Sequence, residues 1–131
     1  MSLKFPWTNM AQRKDVPFDI RERTFLFGVR IVRFVRAMPR DVAGVEVARQ
    51  LLRSGTSVGA NVEESDGAES TADKIHKLKV ACKEAKESRF WLRTIKEAEL
   101  LASPELDALL AECLELVKIL SSIINNLGKS E

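Results

Sequence analysis

Between Leu51 and Val62 the chain reads Leu-Leu-Arg-Ser-Gly-Thr-Ser-Val-Gly-Ala-Asn-Val, which places two glycines, three hydroxyls and an asparagine inside an otherwise amphipathic helical pattern. A glycine within a helix costs about 0.5–1 kcal/mol relative to alanine. Gly55 and Gly59, one turn apart, are therefore expected where a second helix backbone comes close. A chain with such a seam is built from tightly packed helices. The complete absence of tyrosine and only six glycines and four prolines in 131 residues argue the same way, against a strand-and-turn fold.

The hydrophobic period divides the chain into four helices. Residues 1–18 contain Pro6, Trp7, Pro17 and Phe18 without a period and read as an irregular leader. A first helix is expected from an Asp19 cap to about Met38, before Pro39, with Ile20, Phe27, Ile31, Phe34, Val35 and Met38 inward. Phe25, Leu26, Val29 and Val32 make it apolar around more of its circumference than one bundle core uses. The second helix is expected over 42–65, with Val45, Ala48, Leu52, Gly55, Gly59 and Val62 as its seam and Gly67 as its stop.

Ser70 followed by Asp73 opens a third helix that runs to about Leu101, roughly 45 Å at 1.5 Å per residue, with Leu78, Ala81, Cys82, Ala85, Leu92 and Ile95 inward. Ser103-Pro104 opens the fourth, which Gly128 closes. There Leu106, Leu109, Cys113, Leu116, Leu120, Ile123 and Leu127 alternate in steps of three and four, the seam of a coiled-coil-like pack. A neighbouring stripe of Leu110, Leu114, Val117 and Ile124 reads either as deeper burial or as an oligomer face. The expected fold is all-α, an antiparallel up-down-up-down four-helix bundle forming one domain over residues 19–128.

Several function classes have no foothold. Cys82 and Cys113 are the two cysteines, too few for a disulfide framework or zinc knuckle, and point to a reducing cytoplasm. No apolar run reaches the roughly 18 residues of a membrane span. Ser54, Thr56, Ser57 and Asn61 lack a nucleophile elbow, and Gly55 and Gly59 lack the Gly-Lys-Ser/Thr ending of a phosphate loop. They read as hydrogen bonding to their own or an adjacent helix. The acidic turn of Glu63, Glu64, Asp66, Glu69 and Asp73 has no histidine and no metal-ligand spacing. His76, among Lys74, Lys77 and Lys79, has no catalytic partner. The chain reads as no enzyme, with no cofactor, metal or small-molecule substrate.

Charge is more informative. Residues 1–40 hold nine Lys/Arg against three Asp/Glu, within a net charge of +2 for the whole chain. Arg23, Arg30, Arg33, Arg36 and Arg40 fall on one face of the first helix, within roughly 140° at 100° per residue. Arginine's planar fork matches phosphate, so this face is a nucleic-acid candidate, or alternatively a solvated or intersubunit face. Basic residues also interleave with Phe90-Trp91, where base stacking competes with packing against a helix or subunit.

The Arg53-Ser54…Ser57-Val58…Asn61 segment, together with Lys83-Glu84-Ala85…Glu87 and Phe90-Trp91-Leu92, closely resembles a bacterial four-helix bundle family that includes proteins encoded in intervening sequences of 23S rRNA genes. The resemblance spans roughly residues 20–127. It implies an up-down bundle that assembles into a homopentameric ring or barrel. A related member, in diversity-generating retroelements, assists a reverse transcriptase and binds nucleic acid. On that basis the surplus apolar residues Phe25, Val29, Phe90, Trp91, Leu110, Leu114 and Val117 become subunit contacts, and the arginine face an RNA or DNA site. No catalytic residues carry over. The chain departs from the common Asn-Ile-Ala-Glu pattern at Asn61-Val62-Glu63-Glu64, which separates its acidic turn from any shared role. The rival expectation is a protein-interaction scaffold whose arginines serve assembly.

Overall fold

The computed structural model describes residues 16–129. Among them every regular element is an α-helix: α1 (Phe18–Val35), α2 (Val42–Asp66), α3 (Thr71–Glu97) and α4 (Pro104–Lys129). α1 packs along α2, α2 along α3 and α3 along α4, while α4 meets α1 more loosely and closes the ring. α1 and α3 therefore occupy one diagonal. Paired positions run in opposite directions at every junction: Arg21 with Asp66 and Ile31 with Gly55, Arg23 with Glu112 and Arg30 with Glu105, Lys77 with Glu64 and Arg53 with Glu84, Cys82 with Ser121 and Lys96 with Asp107. Neighbouring helices are thus antiparallel.

Local chemistry sets the helix ends. α1 starts at Phe18, inside the expected leader, and Pro17 rather than Asp19 holds the cap position without a side-chain bond; Asp19 sits in the first turn, where its charge suits the helix dipole. Residues 1–15 of that leader, Trp7 included, lie outside the described residues. α1 stops at Val35, because Pro39 disfavours a helical Met38; tight turn bonds from Ala37 to Phe34 O and from Met38 to Val35 O, both 3.1 Å, end it, and Met38 still reaches the core. The Asp41 carboxylate accepts from the Gly44 amide at 2.7 Å and caps α2.

Ser70 caps α3 as expected, accepting from the Asp73 amide at 3.0 Å. The far end of α3 falls four residues short of Leu101. Glu99 adopts a left-handed φ of 55°, the Leu100 amide bonds Ile95 O at 3.0 Å and the Glu99 amide bonds Lys96 O at 3.2 Å. That is a Schellman termination built without glycine, and no residue type at this position signals it. Ser103 Oγ accepts from the Glu105 amide at 3.2 Å ahead of α4, whose Pro104 needs no partner for its missing N–H.

The α4 seam of Leu106, Leu109, Cys113, Leu116, Leu120, Ile123 and Leu127 is buried throughout, as are the six expected residues of α3. α2 is rotated from expectation. Leu51, Ser54, Gly55, Val58, Gly59, Val62 and Ser65 face the core, while Val45 and Leu52 are exposed. The cause is the close approach of α1, which needs small residues under it: a β-carbon at Gly55 would sit 2.7 Å from Ile31 Cγ1, and one at Gly59 would sit 3.0 Å from Thr24 O. Both glycines therefore do the close packing expected of them. The Thr56 hydroxyl donates to Leu52 O at 2.7 Å in its own helix, and Ser54 Oγ and Ser88 Oγ lie 2.9 Å apart between α2 and α3.

Candidate nucleic-acid interface

The arginines of α1 divide into two groups. Arg23 makes a two-pronged bond to Glu112, Nε to Oε2 at 2.7 Å and Nη2 to Oε1 at 2.8 Å. That hydrogen bond, more than the nearby charge, holds the guanidinium above its ordinary pKa. Arg30 donates from Nε to Glu105 Oε1 at 2.7 Å, and Arg21 pairs with Asp66 at 3.3 Å. Two of the five arginines of the expected basic face are thereby tied to carboxylates of their own chain. Arg33, Arg36 and Arg40 remain exposed near the α1–α2 corner. Arg36 and Arg40 flank a recess there that Met38, Val45 and Leu52 also line.

α3 presents the opposite arrangement. Its buried positions recur in steps of three and four, and a second series in the same steps runs along its outer side: His76, Lys79, Lys83, Lys86, Phe90 and Arg93, all exposed. At 100° per residue they fit within an arc of about 100°, and Lys79 to Arg93 covers about 21 Å of helix. Between His76 and Arg93 no acidic residue of α3 interrupts them, and Glu97 stands on the same face one turn beyond Arg93. Glu84 and Glu87 lie toward α2, where Arg53 pairs with both, and its bond together with one from Trp91 holds the Glu87 carboxyl below the usual carboxylate range. Lys77 is drawn to Glu64 at 2.9 Å and Lys96 to Asp107 at 2.8 Å, so these two lysines are held in pairs beside the outer stripe.

The aromatic pair is split in role. Trp91 packs against the core and donates Nε1–H to Glu87 at 3.1 Å, whereas Phe90 stays 57% exposed with its ring edge-on to Trp91, centroids 5.0 Å apart. The other expected contact residues divide similarly. Leu110 and Val117 are half-buried against the core of their own protomer, and Leu114 points outward. Phe25 is exposed, and with Gly28, Val29, Val32, Thr56 and Ala60 it lines an apolar furrow of about 330 Å³ between α1 and α2.

The outer stripe was legible in the three-four spacing of Lys79, Lys83, Lys86 and Arg93, but the concentration of arginines in the first 40 residues drew attention elsewhere. The acidic turn is partly neutralised by Arg21 and Lys77. Among the described residues no group of three or more His, Cys, Asp or Glu side chains is placed to hold a metal ion. Burial pushes the Cys113 thiol up to about 12, which makes it a core side chain and no nucleophile. No described helix is long and apolar enough to cross a membrane.

These features can be set beside known proteins. No curated protein matches the chain. A crystal structure at 1.70 Å of a protein of unknown function from the S23 ribosomal protein family of Bacteroides thetaiotaomicron is 34% identical; the match covers 82% of this chain and 96% of that one, with a TM-score of 0.76. The family model described as 23S rRNA-intervening sequence protein matches residues 17–122, a span that takes in all of α1, α2 and α3 and most of α4, and the chain belongs to that family.

Proposed function

We propose that this protein is a non-enzymatic, cytoplasmic homo-oligomer that binds RNA or DNA through its basic surfaces, with the outer side of α3 as the principal contact. The observation that carries this reading is the row of Lys79, Lys83, Lys86 and Arg93, exposed and uninterrupted by carboxylate. Phosphate contacts by such groups release condensed counterions and need no base recognition. Arg33, Arg36 and Arg40 add cations at the other end of the diagonal that α3 shares with α1. The family resemblance supports a pentamer, and the apolar furrow between α1 and α2 supplies a surface suited to a second copy. Five copies of a +2 chain carry 5 × 2 = +10, so weak contacts repeat and gain avidity.

Titration of structured RNA and duplex DNA at two salt concentrations tests the reading, with light scattering on the same sample to count subunits. Four phosphate contacts per protomer give a log–log salt slope of about −3.6 on a duplex. Absence of binding at low salt by the intact assembly contradicts it. A scaffold that docks a partner protein is the competing reading, favoured by the same furrow. It predicts that Arg30→Ala with Arg33→Ala disturbs assembly. The Arg30 bond to Glu105 within one chain argues against that role for Arg30.

A further inference from the structure

Resting on the nucleic-acid reading, we propose that the α3 stripe is built for single-stranded nucleic acid, with Phe90 as a platform on which an unpaired base stacks. The argument begins with an anomaly of placement. Phe90 interrupts a row of cations on the most polar side of the bundle, 57% exposed, while its neighbour Trp91 is packed inward. A phenylalanine there does nothing for the core. The edge-on contact with Trp91, whose indole is in turn fixed by Glu87, holds the ring while leaving it open to solvent.

Lys86 precedes Phe90 by four residues and Arg93 follows by three, about 6 Å and 4.5 Å along the axis. Cations thus flank the ring on the scale of a single nucleotide. Beside the ring lies an open hollow of about 460 Å³ lined by Phe90, Arg93, Thr94, Glu97 and Ala98, large enough for a base. In a duplex the base faces are already stacked, so an aromatic ring among phosphate contacts gains nothing and loses hydration. In a single strand every base offers a free face, and an aromatic side chain between cations is the arrangement that such strands use. Charge alone does not distinguish the two; Phe90 does.

The test compares a labelled twelve-nucleotide oligouridylate with a blunt twelve-base-pair duplex, at equal low salt, on the full chain and three variants. Phe90→Ala is expected to weaken oligouridylate binding about tenfold or more and leave duplex binding unchanged. Phe90→Trp is expected to restore it. Lys83→Gln is expected to weaken both ligands alike, by the loss of one phosphate contact. Light scattering of Phe90→Ala should give the subunit number of the unmodified protein. Equal losses on both ligands, no loss on oligouridylate, or a changed subunit number would each overturn the stacking role while leaving the broader reading standing. Failure of the unmodified protein to bind either ligand would remove both.

Discussion

α1 and α3 lie on one diagonal of the bundle and both carry cations, but α1 ties Arg23 and Arg30 to carboxylates of α4 whereas the outer row of α3 stays unpaired. On α1, Arg23 and Arg30 are seven residues apart, and on antiparallel α4 their partners Glu112 and Glu105 are seven apart in the opposite sense, so the two pairs close together. On α3, Glu84 and Glu87 face α2 and are occupied by Arg53, while Glu97 stands one turn beyond Arg93. From Lys79 to Arg93 the outer row therefore meets no carboxylate of its own helix. A basic helix is defined as much by the register of its neighbours' acids as by its own residues.

The largest effect should come from α3 itself. Replacing Lys79, Lys83 and Lys86 by Glu is expected to lower nucleic-acid affinity at least a hundredfold at low salt, measured by fluorescence anisotropy, because three contacts become repulsions. Since exposed substitutions usually alter stability by no more than about 0.5 kcal/mol each, the thermal midpoint should barely move.

α1 should respond in the reverse manner. Gly59→Ala sets a methyl group against the Thr24 backbone at 3.0 Å, which cannot rotate away, and is expected to cost about 1–3 kcal/mol in denaturant unfolding. Gly28→Ala is the control: its added carbon meets Thr56 Cα at an ordinary 3.6 Å, so helix propensity should leave it neutral or slightly stabilising. Arg23→Ala should cost about 1 kcal/mol, by leaving the partly covered Glu112 carboxylate without its partner, and should change affinity less than twofold.

The smallest effect is expected at Cys113, on the buried side of α4, the helix that neutralises α1. Its folded pKa is raised from 9.0 to about 12, so its contribution to stability is complete below pH 9 and is lost as pH climbs toward 12. At pH 8 a thiol reagent should modify Cys113 only at the rate of unfolding, as peptide mass mapping can check. Rapid labelling in the native state would show that α4 is looser than the pairing of Glu105 and Glu112 requires.

Most of the fold was legible because periodicity reports burial directly. The α4 seam and the α3 core stripe needed nothing beyond their spacing. The seam of α2 was read correctly at Gly55, Gly59 and Val62 but wrongly at Val45 and Leu52, because the approach of α1 over the glycines turns Leu51, Ser54 and Val58 inward and leaves those two hydrophobic residues outside. The early end of α3 was hidden because Glu99 takes a conformation normally left to glycine. The candidate site was half legible for a different reason. A sequence gives the cations of α1, but the carboxylates that silence two of them lie more than seventy residues away, and only packing brings them together.

The central claim, that α3 and not the paired arginines of α1 meets nucleic acid, is tested most directly by the salt dependence of two matched variants on one duplex. Lys79→Gln, Lys83→Gln and Lys86→Gln together should flatten the log–log slope by about 2.7. Arg23→Gln with Arg30→Gln should leave the slope unchanged within error. A flattened slope for the arginine pair with an unaltered slope for the lysine triple would contradict the account.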